Sequence, residues 1–121
     1  MGLSVKQAGN KEVVVVDCSN LGSQQADMII KTLEEASAFV ATKPEKSVYI
    51  IIVVTNLQFN SAVSEAFKKY ASSNTKYVKE SVLVGLGGFQ TIIFSAIKAL
   101  TKRDYHLADT MDEAVKYMES V

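Results

Sequence analysis

Apolar and polar positions alternate along the chain with two different periods, and the switches between them mark the elements. LSVKQAG and KEVVVVDC, separated by Gly9-Asn10, read as two strands joined by a tight hairpin, because Gly and Asn both tolerate positive φ. From Ser23, a candidate N-cap, Ala26, Ile29, Ile30, Leu33, Ala36 and Val40 fall on one helical stripe, and Pro44 stands just beyond its end. VYIIIVV, Val48 to Val54, is continuously apolar and β-branched, the signature of a central strand covered on both faces.

The second half repeats this alternation. Asn60 or Ser61 caps a helix whose stripe is Ala62, Val63, Ala66, Phe67 and Tyr70, closed by the polar Ser72 to Asn74. A strand from about Val78 to Val84 runs into Gly85, Gly87 and Gly88. Phe89, Ile92, Ile93, Ala96, Ile97 and Leu100 then form the clearest helical stripe in the chain. YHLA reads as a short strand, and Thr110 to Glu113 (TMDE) is a capping-box pattern opening a last helix with Ala114, Val115 and Met118 inside. Strands separated by helices pair in parallel through crossovers. The expectation is therefore a single α/β domain over residues 1–121, ordered β-β-α-β-α-β-α-β-α, with a mostly parallel five-stranded sheet flanked by helices.

Composition narrows the functional classes. A chain of 121 residues buries roughly two-thirds of its unfolded surface, enough for a core without disulfide or metal. Thirteen basic residues balance thirteen acidic ones, so bulk charge supplies no field for nucleic acid or an anionic membrane. Cys18 is the only cysteine and His106 the only histidine, which argues against an intrachain disulfide or a transition-metal site and for a reducing cytoplasm. The N-terminal MGLSVKQAGN lacks the pattern of a signal peptide, Lys6 stands where a myristoylation signal needs Ser or Thr, and no apolar run approaches the ~20 residues of a membrane span.

The order of elements, the strand-loop-helix passage TNLQFNSAVSEAF, the segment YVKESVLVGLGG and the terminal YHLADTMDEAVKYM together resemble the STAS fold of anti-sigma-factor antagonists. They resemble more closely the small bacterial SpoIIAA-like (STAS/SEC14-type) domains. The resemblance spans nearly the whole chain. It implies a non-catalytic cytoplasmic module that binds a protein partner or a second copy of itself as a homodimer. The SEC14 side of the group implies the alternative, a carrier for a small apolar or lipid-like ligand. In anti-sigma-factor antagonists the matching loop carries Asp-Ser-Ser-Gly with a phosphorylated serine. Here Ser61 matches, Asn60 precedes it, and the acidic residue and the glycine are absent.

Candidate chemistry is sparse. GLGGFQ has no third glycine at the dinucleotide spacing and no Lys-Ser/Thr of a P-loop, so Gly85, Gly87 and Gly88 read as a turn between buried strand and helix, with an anion at the helix start as the alternative. No cofactor motif is present. Asn60 and Ser61 read either as helix caps or as a phosphate switch, since a phosphate at a helix start meets favourable amides. Cys18 beside Asp17 has no electropositive neighbour to activate it, and His106 sits in no nucleophile motif. At about 100° per residue, Phe94 falls beside Gln90, Thr91 and Lys98, off its stripe. Met28 and Phe39 fall on the Glu35 side of theirs, and the three are a candidate interaction surface. Lys98, Lys102 and Arg103 read as a solvated helix end. Lys68, Lys69, Lys76 and Lys79, interleaved with Tyr70 and Tyr77, do not amount to a nucleic-acid face in a chain without net charge.

Overall fold

The computed structural model describes residues 2–58, 60–102 and 105–121. Strands β1 (Gly2–Ala8) and β2 (Lys11–Asp17) form the expected hairpin, with Ala8 opposite Lys11. The two-residue loop has its positive φ at Gly9, the first central position, as a type II′ turn requires. Then follow α1 (Ala26–Val40), β3 (Val48–Val53), α2 (Ser61–Asn74), β4 (Val78–Val84), α3 (Gly88–Thr101), β5 (His106–Ala108) and α4 (Met111–Ser120). Ser23 opens a short 3-10 turn rather than capping α1, and the Gly22 N–H is taken up by the Gln25 side chain at 2.8 Å.

The strands lie in the order β1-β2-β3-β4-β5, antiparallel only between β1 and β2. Because this order never reverses, crossovers of one hand must lay α1, α2 and α3 side by side on one face. Neighbouring helices do touch there, α1 with α2 and α2 with α3. Val14, Val16, Ile50, Ile52 and Leu83 face these helices and meet Ile29, Leu33, Phe67 and Ile97. On the opposite face α4 alone covers Val13, Val15, Ile51, Val53, Val82 and Val84 with Ala114 and Met118. A continuous β-branched run is what such a two-sided burial needs. The last helix is held by its capping box: the Glu113 N–H donates to Thr110 Oγ1 at 3.2 Å, and Glu113 Oε2 accepts from the Asp109 N–H at 2.9 Å.

Two irregularities matter for function. Val48 pairs with Val78 but Tyr49 with Glu80, so Lys79 is an extra, bulged residue in β4. Strand β5 begins opposite Val82, which leaves the first half of β4 without a strand neighbour on that side among the described residues.

Candidate functional site

At the carboxyl ends of the parallel strands the loops are tied to one another. The Cys18 N–H donates to the Val53 carbonyl, Val54 to Val84 and Gly85 to Ala108, all within 3.0 Å. Asn20 and Asn56 both adopt left-handed backbone. The Asn20 N–H donates to the Thr55 carbonyl at 2.8 Å, and the Asn56 side-chain amide donates to Asn20 Oδ1 at 3.1 Å. An open α/β sheet usually places its ligand crevice where strand order reverses. This sheet has no reversal, and hydrogen bonds lace its upper loops together.

Gly85 sits inside that lacing with φ +79°, and a Cβ built on it would fall about 3.0 Å from the Thr55 Cα and nearer still to the Thr55 side chain. The glycine is required by backbone direction and by close approach at once. Gly87 is exposed and its carbonyl accepts from the Thr91 N–H at 3.1 Å and Oγ1 at 3.0 Å, which starts α3 at Gly88.

Asn60 caps α2: its extended backbone lets Oδ1 accept from the Val63 N–H at 2.9 Å. Ser61 is the first helical residue and is exposed. Cys18 is completely buried. Desolvation first, and the Asp17 carboxylate second, push its thiol up to about 12, which disfavours the thiolate a nucleophile needs. His106 lies at the other end of the sheet with β3 and β4 between, stacked on the Tyr117 ring at 3.8 Å and 9°. The Tyr117 hydroxyl donates to Glu80 at 2.7 Å, and that bond raises the phenol above its ordinary value. Among the described residues no group of three or more His, Cys, Asp or Glu is placed to hold a metal ion, and no helix is long and apolar enough to cross a membrane.

The expected surface is corrected at Phe94. Only 5% exposed, this ring packs edge-on against Phe67 at 5.4 Å and Tyr105 at 6.4 Å, whereas Ile92, placed on the inner stripe by the sequence, is 70% exposed. Residues 94 and 97 face α2 and the sheet, so the helix is rotated relative to the sequence expectation. Arg103 and the side chains of Phe89, Ile93 and Leu100 lie outside what the structure describes. Met28 and Phe39 do share a flank. Eleven positions apart, they fall within about 20° of each other around α1. Met28 is 42% exposed, and half-buried Phe39 joins Val5, itself 49% exposed, in lining a cleft of about 360 Å³ between α1 and the hairpin.

Two further concavities had no sequence signal. A groove of about 510 Å³ runs between α1 and α2, lined by Ile30, Leu33, Ala62, Ala66 and Tyr70 with charged residues at its rim. A polar cleft of about 450 Å³ opens where β4 and β5 begin. Of the four lysines interleaved with Tyr70 and Tyr77, Lys68 pairs with Glu65 at 3.4 Å and Lys76 with Glu45 at 3.3 Å.

Comparison with solved structures places this architecture. A crystal structure of an uncharacterized DUF3478-family protein with a SpoIIAA-like fold, from Shewanella loihica PV-4, superposes with a TM-score of 0.66 over 96% of this chain and 91% of that one, at 14% identity. The fold is SpoIIAA-like. No family model matches the sequence, and no curated protein does. The order of elements along the chain and the mixed, mostly parallel five-stranded sheet of the SpoIIAA-like fold are those expected from the alternation of periods.

Proposed function

We propose that the chain is a non-catalytic binding and regulatory module of the cytoplasm, which acts by docking a protein, another chain or a second copy of itself, on the flank shared by β1 and α1. One observation carries this reading. The outer edge of β1 has no strand partner among the described residues, apolar Val5 and Phe39 line the cleft beside it, and exposed Met28 lies on the same flank of α1 as Phe39. An unpaired strand edge offers a ladder of N–H and C=O groups to an incoming strand, and natural edges are normally blunted by charge. Over its seven residues β1 carries a single charged side chain, Lys6. In this reading exposed Ser61 is the regulatory position, where added phosphate meets the amides and dipole of α2.

Cross-linking in the native host followed by affinity capture, with sedimentation of the purified chain, tests the proposal. The expected result is a specific partner or a dimer that is lost at least tenfold in Val5→Glu/Met28→Glu, while the urea midpoint stays within error. A monomer without partners, or association indifferent to the double substitution, would overturn it.

The apolar groove between α1 and α2 favours a second reading, a carrier for a small apolar molecule, because its volume lies in the range of ligand sites. Native and denaturing mass spectra of the gently purified chain separate the two. A mass lost only on denaturation supports the carrier; a bare chain counts against it.

A further inference from the structure

We propose that the cleft at the start of β4 and β5 is a binding site for a small phosphate monoester. The cleft exists because β5 is short: it covers β4 only from Val82 upward, so Val78, Lys79, Glu80 and Ser81 floor an opening of about 450 Å³. Three lysines from three separate elements line it: Lys46 from the loop before β3, Lys79 from β4, whose ammonium lies 6.0 Å from the centre of the Tyr49 ring, and Lys102 from the end of α3. Among the described residues Glu80 is the one carboxylate in the lining, and it already accepts the Tyr117 hydroxyl. Among the described residues no carboxylate pairs with any of the three lysines, although Lys68 and Lys76 elsewhere do find partners. A chain with no net charge therefore sets three lysines against one carboxylate, among the described residues, in one concavity.

Local backbone supports this arrangement. Lys79 is the bulged residue of β4, and bulges re-aim side chains. Lys46 and Lys102 hold φ of 55° and 57°, a conformation that non-glycine residues adopt only where the surroundings impose it. Lys46 Nζ donates to the Thr75 carbonyl at 3.2 Å, which fixes the chain while leaving further donors. Lysines act on phosphate as point charges, and three of them suit a dianion with three free oxygens better than a carboxylate with two. The remaining wall is aromatic, with half-buried Tyr105 on one side and the stacked His106–Tyr117 pair on the other, and accommodates the body of the ester. Confinement and overall neutrality favour a small molecule over a nucleic acid.

Amide NMR titration of the ¹⁵N-labelled chain at fixed ionic strength tests this, with inorganic phosphate, glycerol 3-phosphate and phenyl phosphate as probes. The expected result is saturable shifts at Lys46, Lys79, Lys102 and His106, with affinity falling at least tenfold in Lys79→Glu/Lys102→Glu but unchanged in Lys68→Glu. Equal binding by all three probes assigns recognition to the phosphoryl group alone; tighter binding of phenyl phosphate adds the aromatic wall. Non-saturable shifts, equal weakening by Lys68→Glu, or tighter binding of a short oligonucleotide with shifts spread beyond the cleft would each overturn the proposal. Peak dispersion in the double variant shows independently that it is folded.

Discussion

Replacing Gly85 by Ala puts two separable demands on the β4–α3 turn. The new Cβ must sit at φ +79°, which costs an L-residue about 1–2 kcal/mol. It must also displace the Thr55 side chain, and its Cα lies about 3.0 Å away; overpacking of this kind typically costs about 1–3 kcal/mol. The sum, about 2–5 kcal/mol, is a large share of the ~5–15 kcal/mol that holds a domain folded. With a urea slope of about 1–3 kcal/mol per molar, the midpoint should drop by roughly 1–2 M. Thr55→Gly removes both clashing side-chain atoms and by itself costs on the order of 1 kcal/mol of backbone entropy. In the double variant the clash with the Thr55 side chain vanishes while the tight contact with its Cα and the conformational part stay, so the two costs should fall short of additivity by about 1–2 kcal/mol. Urea unfolding followed by circular dichroism reads all four proteins. A Gly85→Ala midpoint within ~0.3 M of the parent, or strictly additive costs, would refute the close approach as the reason for glycine.

Phe94→Ala should cost about 3–5 kcal/mol as a buried aromatic, and Ile92→Ala should stay within ~0.5 kcal/mol; thermal or urea unfolding that ranks them the other way would restore the sequence's original phase for α3. The Cys18 thiol should resist maleimide at pH 8 in the native chain and react in urea, where modification in the native state would contradict its burial. Its affinity for the proton is raised on folding, from 9.0 to about 12, so the stability this confers is complete below pH ~9 and is lost as pH climbs toward 12. The loss runs at up to ~1.4 kcal/mol per pH unit, and Tyr117 acts in the same direction. Cys18→Val should flatten the alkaline limb of an unfolding-versus-pH curve, and an unchanged limb would deny the thiol that role.

The sheet was legible because its signals are local and redundant. VYIIIVV can only be a strand buried on both faces, and strictly alternating elements leave little choice but parallel pairing. The cap at Thr110 was equally plain and that of α2 was narrowed to Asn60 or Ser61, of which the structure uses Asn60; each cap is a side chain bonding an amide three residues on. The phase of α3 was not legible. GFQTIIFSAIKALT is apolar around most of its circumference, so the stripe through Ile92 and the face through Phe94 score alike, and only the edge-on contact with Phe67 of α2 chooses between them. The need for Gly85 was visible as a turn, but its cause, the proximity of Thr55 thirty positions earlier, is tertiary. The lysine cleft was invisible for the same reason: Lys46, Lys79 and Lys102 are dispersed along the chain, and a zero net charge conceals that they line one cleft.

Strand order explains where this fold leaves room for function. Three crossovers that advance in one direction keep α1, α2 and α3 on one face, so the loops leaving β2, β3 and β4 run abreast and bond to each other instead of parting around a ligand. The carboxyl end, the usual seat of α/β chemistry, is spent on cohesion. What stays open is lateral: the outer edge of β1 at one side of the sheet, and the uncovered half of β4 below a three-residue β5 at the other. The first is apolar and extended, suited to another polypeptide; the second is concave and cationic, suited to a small anion. Residues from Val13 to Val84 connect them through rigid, doubly buried strands, and substitutions at either edge should leave the other's binding unchanged.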